Sequence, residues 1–228
     1  MKLEHLDTAQ QVWERTWTAE EIPVLSASIT LPCSADTKKD RLLHRIDRYY
    51  RQFAHSYLRY CDSFLYPAAA AEFRLAVQNG APLPHFTATM NYQITWNEGG
   101  IWSLYTDATE KGWIPFRVRR SDTWDLYTGT PMSLSAFLPS RPAPRRFLTN
   151  CAAAEIQKQL NAGTAFYRED WQKRLRRAWN PDNYYLTREG LCFFYQMYTL
   201  APAAEGTPTF CIPWEGGASI PNAHRLSE

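Results

Sequence analysis

The chain has 228 residues, 25 Lys and Arg against 23 Asp and Glu, and a formal charge of +2. With 45% apolar and 21% charged residues, disorder is excluded as its dominant state, and a core can form without metal or disulfide staples. At about 150 residues per domain, the length bounds the chain at one to two domains.

No stretch approaches the ~18 to 20 consecutive apolar residues of a membrane helix. The start, Met1 to Glu21, has no basic segment followed by an apolar one. A chain of this kind is expected in the cytoplasm, with neither signal peptide nor membrane span. Cys33, Cys61, Cys151, Cys192 and Cys211 are odd in number and show no CxxC spacing. That pattern argues against a disulfide framework and a zinc site, and for buried thiols in a reducing compartment. Residues 1–114 carry a net charge of −2 and residues 115–228 of +4. Neither half has the dense positive field of a nucleic-acid binder.

In chain order, residues 1–20 read as a polar arm with a short helix, on which Trp13 and Trp17 share a face four residues apart. Residues 22–32 alternate, with Leu25, Ala27, Ile29 and Leu31 on one face, and predict a half-buried strand ended by Pro32. Thr37 and Asp40 fit a capping pattern. The helix they open carries Leu42, Ile46, Tyr49, Phe53, Tyr57, Cys61 and Phe64 as its apolar stripe. Pro67 breaks or restarts it, and Asn79-Gly80 closes it. From Phe86 the period falls to two. Four strands are predicted, 86–96, 101–106, 113–119 and 123–128, as an antiparallel meander with the long helix on one face. Helices follow over 145–161 and 166–179, the second with Tyr167, Trp171, Leu175 and Trp179 on one side and a basic face on the other. Strands at 183–187, 191–200 and 209–214 complete the chain.

Chemical signatures are sparse. His5, His44, His55, His85 and His224 form no metal-ligand spacing, and no nucleophile elbow, phosphate loop or dinucleotide fingerprint is present. No catalytic residue, metal or cofactor is expected. Trp113 and Tyr127 fall on the polar side of their strands and are candidates for touching a partner.

The segment from Asn183 to Trp214, NYYLTREGLCFFYQMYTLAPAAEGTPTFCIPW, resembles the C-terminal pattern of the RsiV-type family of lysozyme-sensing anti-sigma factors, a domain of unknown function. Leu186, Thr187, Gly190, Leu191, Tyr198, Leu200, Ala201, Pro202, Ala204, Gly206, Phe210, Ile212 and Pro213 carry the match. Upstream, WDLYTGTPMSLSAFL (Trp124 to Leu138) is similar to the PdaC-like domain that precedes it in the family. The chain departs from the pattern at Thr109 to Gly112, at Thr199 and at Ala203.

The resemblance implies an α+β fold. A PdaC-N-terminal-like subdomain would span 22–138 and an RsiV C-terminal-like subdomain 139–216, with 1–21 and 217–228 flexible or peripheral. Gly129, Gly190, Pro202, Gly206 and Pro213 would serve structure, and Tyr198 would join Trp113 and Tyr127 as a partner-binding candidate. The function implied is a stand-alone, non-enzymatic binding or sensor-like domain for a protein or cell-wall glycan, in a family whose members are extracytoplasmic. The +2 charge disfavours strongly basic lysozyme as that ligand. Two alternatives are a hydrolase of a cell-wall polysaccharide and an interaction protein using the basic helix 168–177.

Overall fold

In the computed structural model, residues 3–35, 41–112, 114–141, 143–221 and 224 are described. Strand β1 (Thr8–Ala19) pairs antiparallel with β2 (Ile22–Ser34). The helix expected near Trp13 and Trp17 is thus a strand. The ambiguity has a geometric source, because residues four apart share a face in both structures. Trp17 is buried and its indole N–H donates to Asp62 at 2.7 Å. Glu20 and Glu21 turn the hairpin at φ of 49° and 66°, the backbone of a type I′ turn. β2 buries Leu25, Ala27, Ile29 and Leu31 as expected. It runs past Pro32 to Ser34, since Pro32 faces only the Gln10 position of β1.

The capping residues Thr37 and Asp40 lie outside the described residues. Helix α1 (Arg41–Tyr60) buries Leu43, Ile46, Tyr50 and Ala54, a stripe rotated by one residue from Leu42, Tyr49 and Phe53. A π-helical turn, Cys61–Leu65, follows. Its wider repeat shifts the register, so that Leu65 is buried and Phe64 is 66% exposed. Helix α2 (Tyr66–Asn79) starts with Pro67 in its first turn and ends at Gly80, φ 60°.

The α1–α2 connection returns the chain to β3 (Phe86–Glu98), which pairs parallel with β2 from Leu25↔Phe86 to Ile29↔Met90. A parallel neighbour needs such a long crossover. Strands β4 (Ile101–Lys111), β5 (Phe116–Asp125) and β6 (Thr130–Pro131) follow. The hydrogen-bonded order is β1-β2-β3-β4-β5-β6. The two strands expected at 113–119 and 123–128 are one, β5. It begins just after Pro115, which has no N–H for the ladder.

Helices α3 (Pro144–Ala162) and α4 (Trp171–Arg177) precede a second sheet, β7 (Tyr184–Leu186), β8 (Gly190–Phe194) and β9 (Thr209–Pro213). The fold class is therefore α+β, as expected. The described chain divides into two compact units, one of residues 7–92 with 106–116, the other of residues up to Leu6, 93–105 and those from Arg117 onward. The first centres on Trp17, Val24, Leu25, Cys61, Leu65, Phe73 and Phe86. In the second, Leu148, Ala152 and Ile156 of α3 and Trp171 and Leu175 of α4 join Leu191, Phe193, Phe210 and Ile212 in one core.

Candidate binding site

In α4, Trp171 and Leu175 are four residues apart and buried, which fixes the helix against the core. The same turn pitch leaves Lys173, Arg176 and Arg177 exposed. In α3, Leu148, Thr149, Ala152 and Ile156 are buried, and Arg145 and Arg146 occupy the exposed first turn. Cations at a helix N-terminus oppose the macrodipole, so this placement gives no local stability to α3. Arg145 instead reaches across and donates through Nη2 to the Arg176 carbonyl at 2.6 Å. That bond satisfies a backbone acceptor in the last turn of α4, where helical partners run out.

The two helices frame an open cleft of about 490 Å³, lined by Arg145, Gln172, Lys173, Arg176 and Arg177. Four of those five side chains are cationic and none is acidic. The nearby Asp170 is committed to Arg174, Oδ1 to Nε at 2.6 Å. The Arg174 hydrogen bond holds the Asp170 carboxyl below its ordinary range. The cleft is suited to an anionic group.

Other titratable groups cluster elsewhere. In the first unit, burial and then the charge of Glu110 push the Cys61 thiol up to about 12. The same causes push the Tyr60 hydroxyl up to about 12. The Glu110 carboxyl is itself raised by burial, offset in part by its bond to Tyr60. Burial also raises Cys33 and Cys151. All three free thiols are thus held away from the reactive thiolate.

Cysteines 192 and 211 correct the expectation of thiols alone: they form a disulfide between register partners on β8 and β9. Spacing rules aimed at CxxC frameworks miss it. The usable signal was pairing, because a β8–β9 register that sets Gly190 opposite Pro213 also sets Cys192 opposite Cys211.

Of the residues singled out from sequence, Trp113 lies outside the described residues. Tyr127 is half-buried. Its hydroxyl donates to both Glu4 carboxylate oxygens, at 3.0 and 2.9 Å, and its ring stacks on His224 at 4.8 Å. Burial, followed by the Glu4 bond, raises the hydroxyl. Glu4 and His224 were not anticipated beside it, since 123 residues separate Glu4 from Tyr127 and no local pattern links them. Tyr198 is half-buried with φ 66°, and its carbonyl accepts from Arg168 Nε at 3.1 Å. Gly129 takes φ 68° in the β5–β6 turn and Gly206 φ 67°. Pro202 caps the short 3-10 turn Ala203–Glu205, and Pro213 precedes another, Trp214–Gly216. A Cβ on Gly190 would overlap the Ile212 carbonyl. The cleft cation Arg145 was also missed, because it lies 31 residues from the carbonyl that it holds.

Residues 137–215 match the family model of DUF3298, a protein of unknown function. That DUF3298 segment contains α3, α4 and the sheet β7-β8-β9, and so the whole cleft. The chain is also similar to two solved structures of DUF3298 family proteins. One, from Bacteroides fragilis NCTC 9343, is 13% identical, with a TM-score of 0.68 over 94% of this chain and 93% of that one. The other, from Pseudomonas aeruginosa PAO1, is 17% identical, with a TM-score of 0.62 over 97% and 98%. At these identities the likeness shows the fold. No curated protein matches the sequence. No helix among the described residues is long and apolar enough to cross a membrane.

Proposed function

We propose that this chain is a non-enzymatic binding or sensor-like module of RsiV type, and that its partner is an acidic protein or an anionic glycan. The observation that carries this reading is the α3–α4 cleft, where four cations converge without an acid. Burying such a set against a neutral partner would leave charges unpaired, whereas an acidic partner compensates them. The cleft also disfavours lysozyme, which is strongly basic. The Cys192–Cys211 disulfide supports an oxidising compartment, in keeping with the extracytoplasmic members of the RsiV type.

Calorimetry with poly-glutamate, hen lysozyme and a short DNA duplex tests the proposal. Poly-glutamate is expected to bind at 50 mM salt and to weaken at least about tenfold by 300 mM, as screening shortens the Debye length. The double reversal Lys173→Glu with Arg177→Glu should abolish binding. Binding indifferent to salt and to the reversal would overturn the reading, and so would a preference for lysozyme or for DNA.

A further inference from the structure

The sheet β7-β8-β9 has two edges, and the structure treats them differently. Along β8, Phe194 N–H donates to the Asn183 carbonyl on the β7 side, while Tyr195 N–H donates to the Pro208 carbonyl on the β9 side. Antiparallel pairs alternate in this way. Phe210 and Ile212, opposite Phe193 and Leu191, therefore bond inward to β8. Thr209 and Cys211 turn their N–H and C=O groups outward. On the β7 edge the corresponding outward group is covered, for Leu186 N–H donates to Ser103 Oγ at 3.0 Å. On the β9 edge a groove of about 460 Å³ runs between the strand and α3, with Cys151, Ala154, Glu155 and Lys158 on its helical wall.

We propose that the β9 edge receives an extended peptide segment of a partner as a fourth strand, laid in this groove. The outward N–H and C=O of Thr209 and Cys211 offer four backbone bonds in sheet register. A second extended backbone supplies matching acceptors and donors at that spacing. Pro213, which shares the outward parity of Thr209 and Cys211, limits the ladder at that end, since it cannot donate. Side chains of the added strand alternate between faces. Those facing α3 meet the small residues Cys151 and Ala154 and then the Glu155–Lys158 ion pair, 3.8 Å. A small apolar side chain suits that wall, and the paired charges leave no net selection for a charged peptide. A second copy of this chain is disfavoured as the occupant. Pairing over a five-residue strand buries a few hundred Å² at most, well below the roughly 1,000 Å² of a stable interface.

The test uses the full chain and the blocked peptide acetyl-Thr-Val-Thr-Val-Thr-amide at millimolar concentration, read by amide hydrogen exchange. Thr209 and Cys211 amides should gain at least tenfold protection at saturation. N-methylation of the peptide at one parity, either the Val or the Thr positions, should abolish the effect, and methylation at the other should leave it. Thr209→Pro removes one outward donor and keeps the inward ladder, so it should lose at least tenfold in affinity. If that variant does not fold, the parity of the methylated peptides decides. Unchanged exchange at Thr209 and Cys211, or equal behaviour of both methylated peptides, overturns the proposal. Protection that grows with protein concentration without peptide assigns the edge to a second copy and also overturns it. The peptide is uncharged, so its failure would leave the cationic α3–α4 cleft and its proposed anionic partner untouched.

Discussion

Reducing the Cys192–Cys211 disulfide should destabilise the unit that holds it by about 3 kcal/mol. The bond joins residues 19 apart in sequence. Opening a loop of that size returns about 11 cal/mol/K to the unfolded chain in the loop-entropy account, or about 3 kcal/mol at 25 °C. The folded state loses little in exchange, because β8 and β9 keep their ladder from Gly190↔Pro213 to Phe194↔Thr209. Cys192 also stays buried beside Tyr185 and Phe194. At about 2–4 °C per kcal/mol for a chain of this length, the melting temperature should fall by about 6–12 °C. The assay is thermal unfolding of the full chain by near-UV circular dichroism, with and without a phosphine reductant, and with thiols counted by alkylation and mass. A verified reduction that moves the transition by less than about 2 °C would refute the loop-entropy reasoning. Five free thiols in the air-oxidised protein would refute the pairing itself.

Four further outcomes follow from backbone and burial. Gly190→Ala should cost about 3 kcal/mol in urea unfolding, because the new Cβ meets the Ile212 carbonyl and the Pro213 backbone, which cannot swing aside as a side chain can. Gly163→Ala, at φ 65° in open space, should cost only about 1 kcal/mol. Replacing Glu20-Glu21 by Asn-Gly places favoured residues in a turn with two positive φ values; it should stabilise by about 1 kcal/mol and raise the melting temperature by about 2–4 °C. Glu110 has its carboxyl raised by burial, so folding favours its protonated form. Its stabilising contribution is full below the ordinary carboxylate range and is lost as pH rises through the raised folded value. Glu110→Gln should therefore gain on the parent as pH climbs from 4 to 7 in denaturant titrations, and a constant difference across that range would contradict the assignment.

Periodicity made much of this fold readable. Leu25, Ala27, Ile29 and Leu31 declare a strand because only a period of two gathers them. Trp171 and Leu175 declare a helix face because the residues between them, Gln172, Lys173 and Arg174, are polar. Where two periods coincide, the reading failed, as at Trp13 and Trp17 in β1. The rotated stripe of α1 failed for another reason. Leu42-Leu43 and Tyr49-Tyr50 are adjacent apolar pairs, so periodicity alone does not say which member faces the core, and the π turn at Cys61–Leu65 shifts the register only beyond α1. Contacts that depend on distant register were equally hidden: Glu4 with Tyr127, Arg145 with Arg176, and Cys192 with Cys211. The basic face of 168–177 was legible, but its confinement to a cleft was not, since α3 supplies the opposite wall.

Helix α3 ties the two proposed surfaces together. Its first turn gives Arg145 to the cleft, and the turns from Cys151 to Lys158 wall the β9 groove. The recognition physics differs sharply between them. The cleft offers exposed point charges, whose attraction to an acidic partner decays with ionic strength. The edge offers backbone dipoles at fixed spacing, where the contacts are short and local and salt has little leverage. One partner that used both would show two components in a salt titration, a steep loss at low ionic strength and a plateau beyond it. Lys173→Glu with Arg177→Glu should remove the steep part alone, and Thr209→Pro the plateau alone. A single component erased by either substitution would mean that α3 carries one contiguous site.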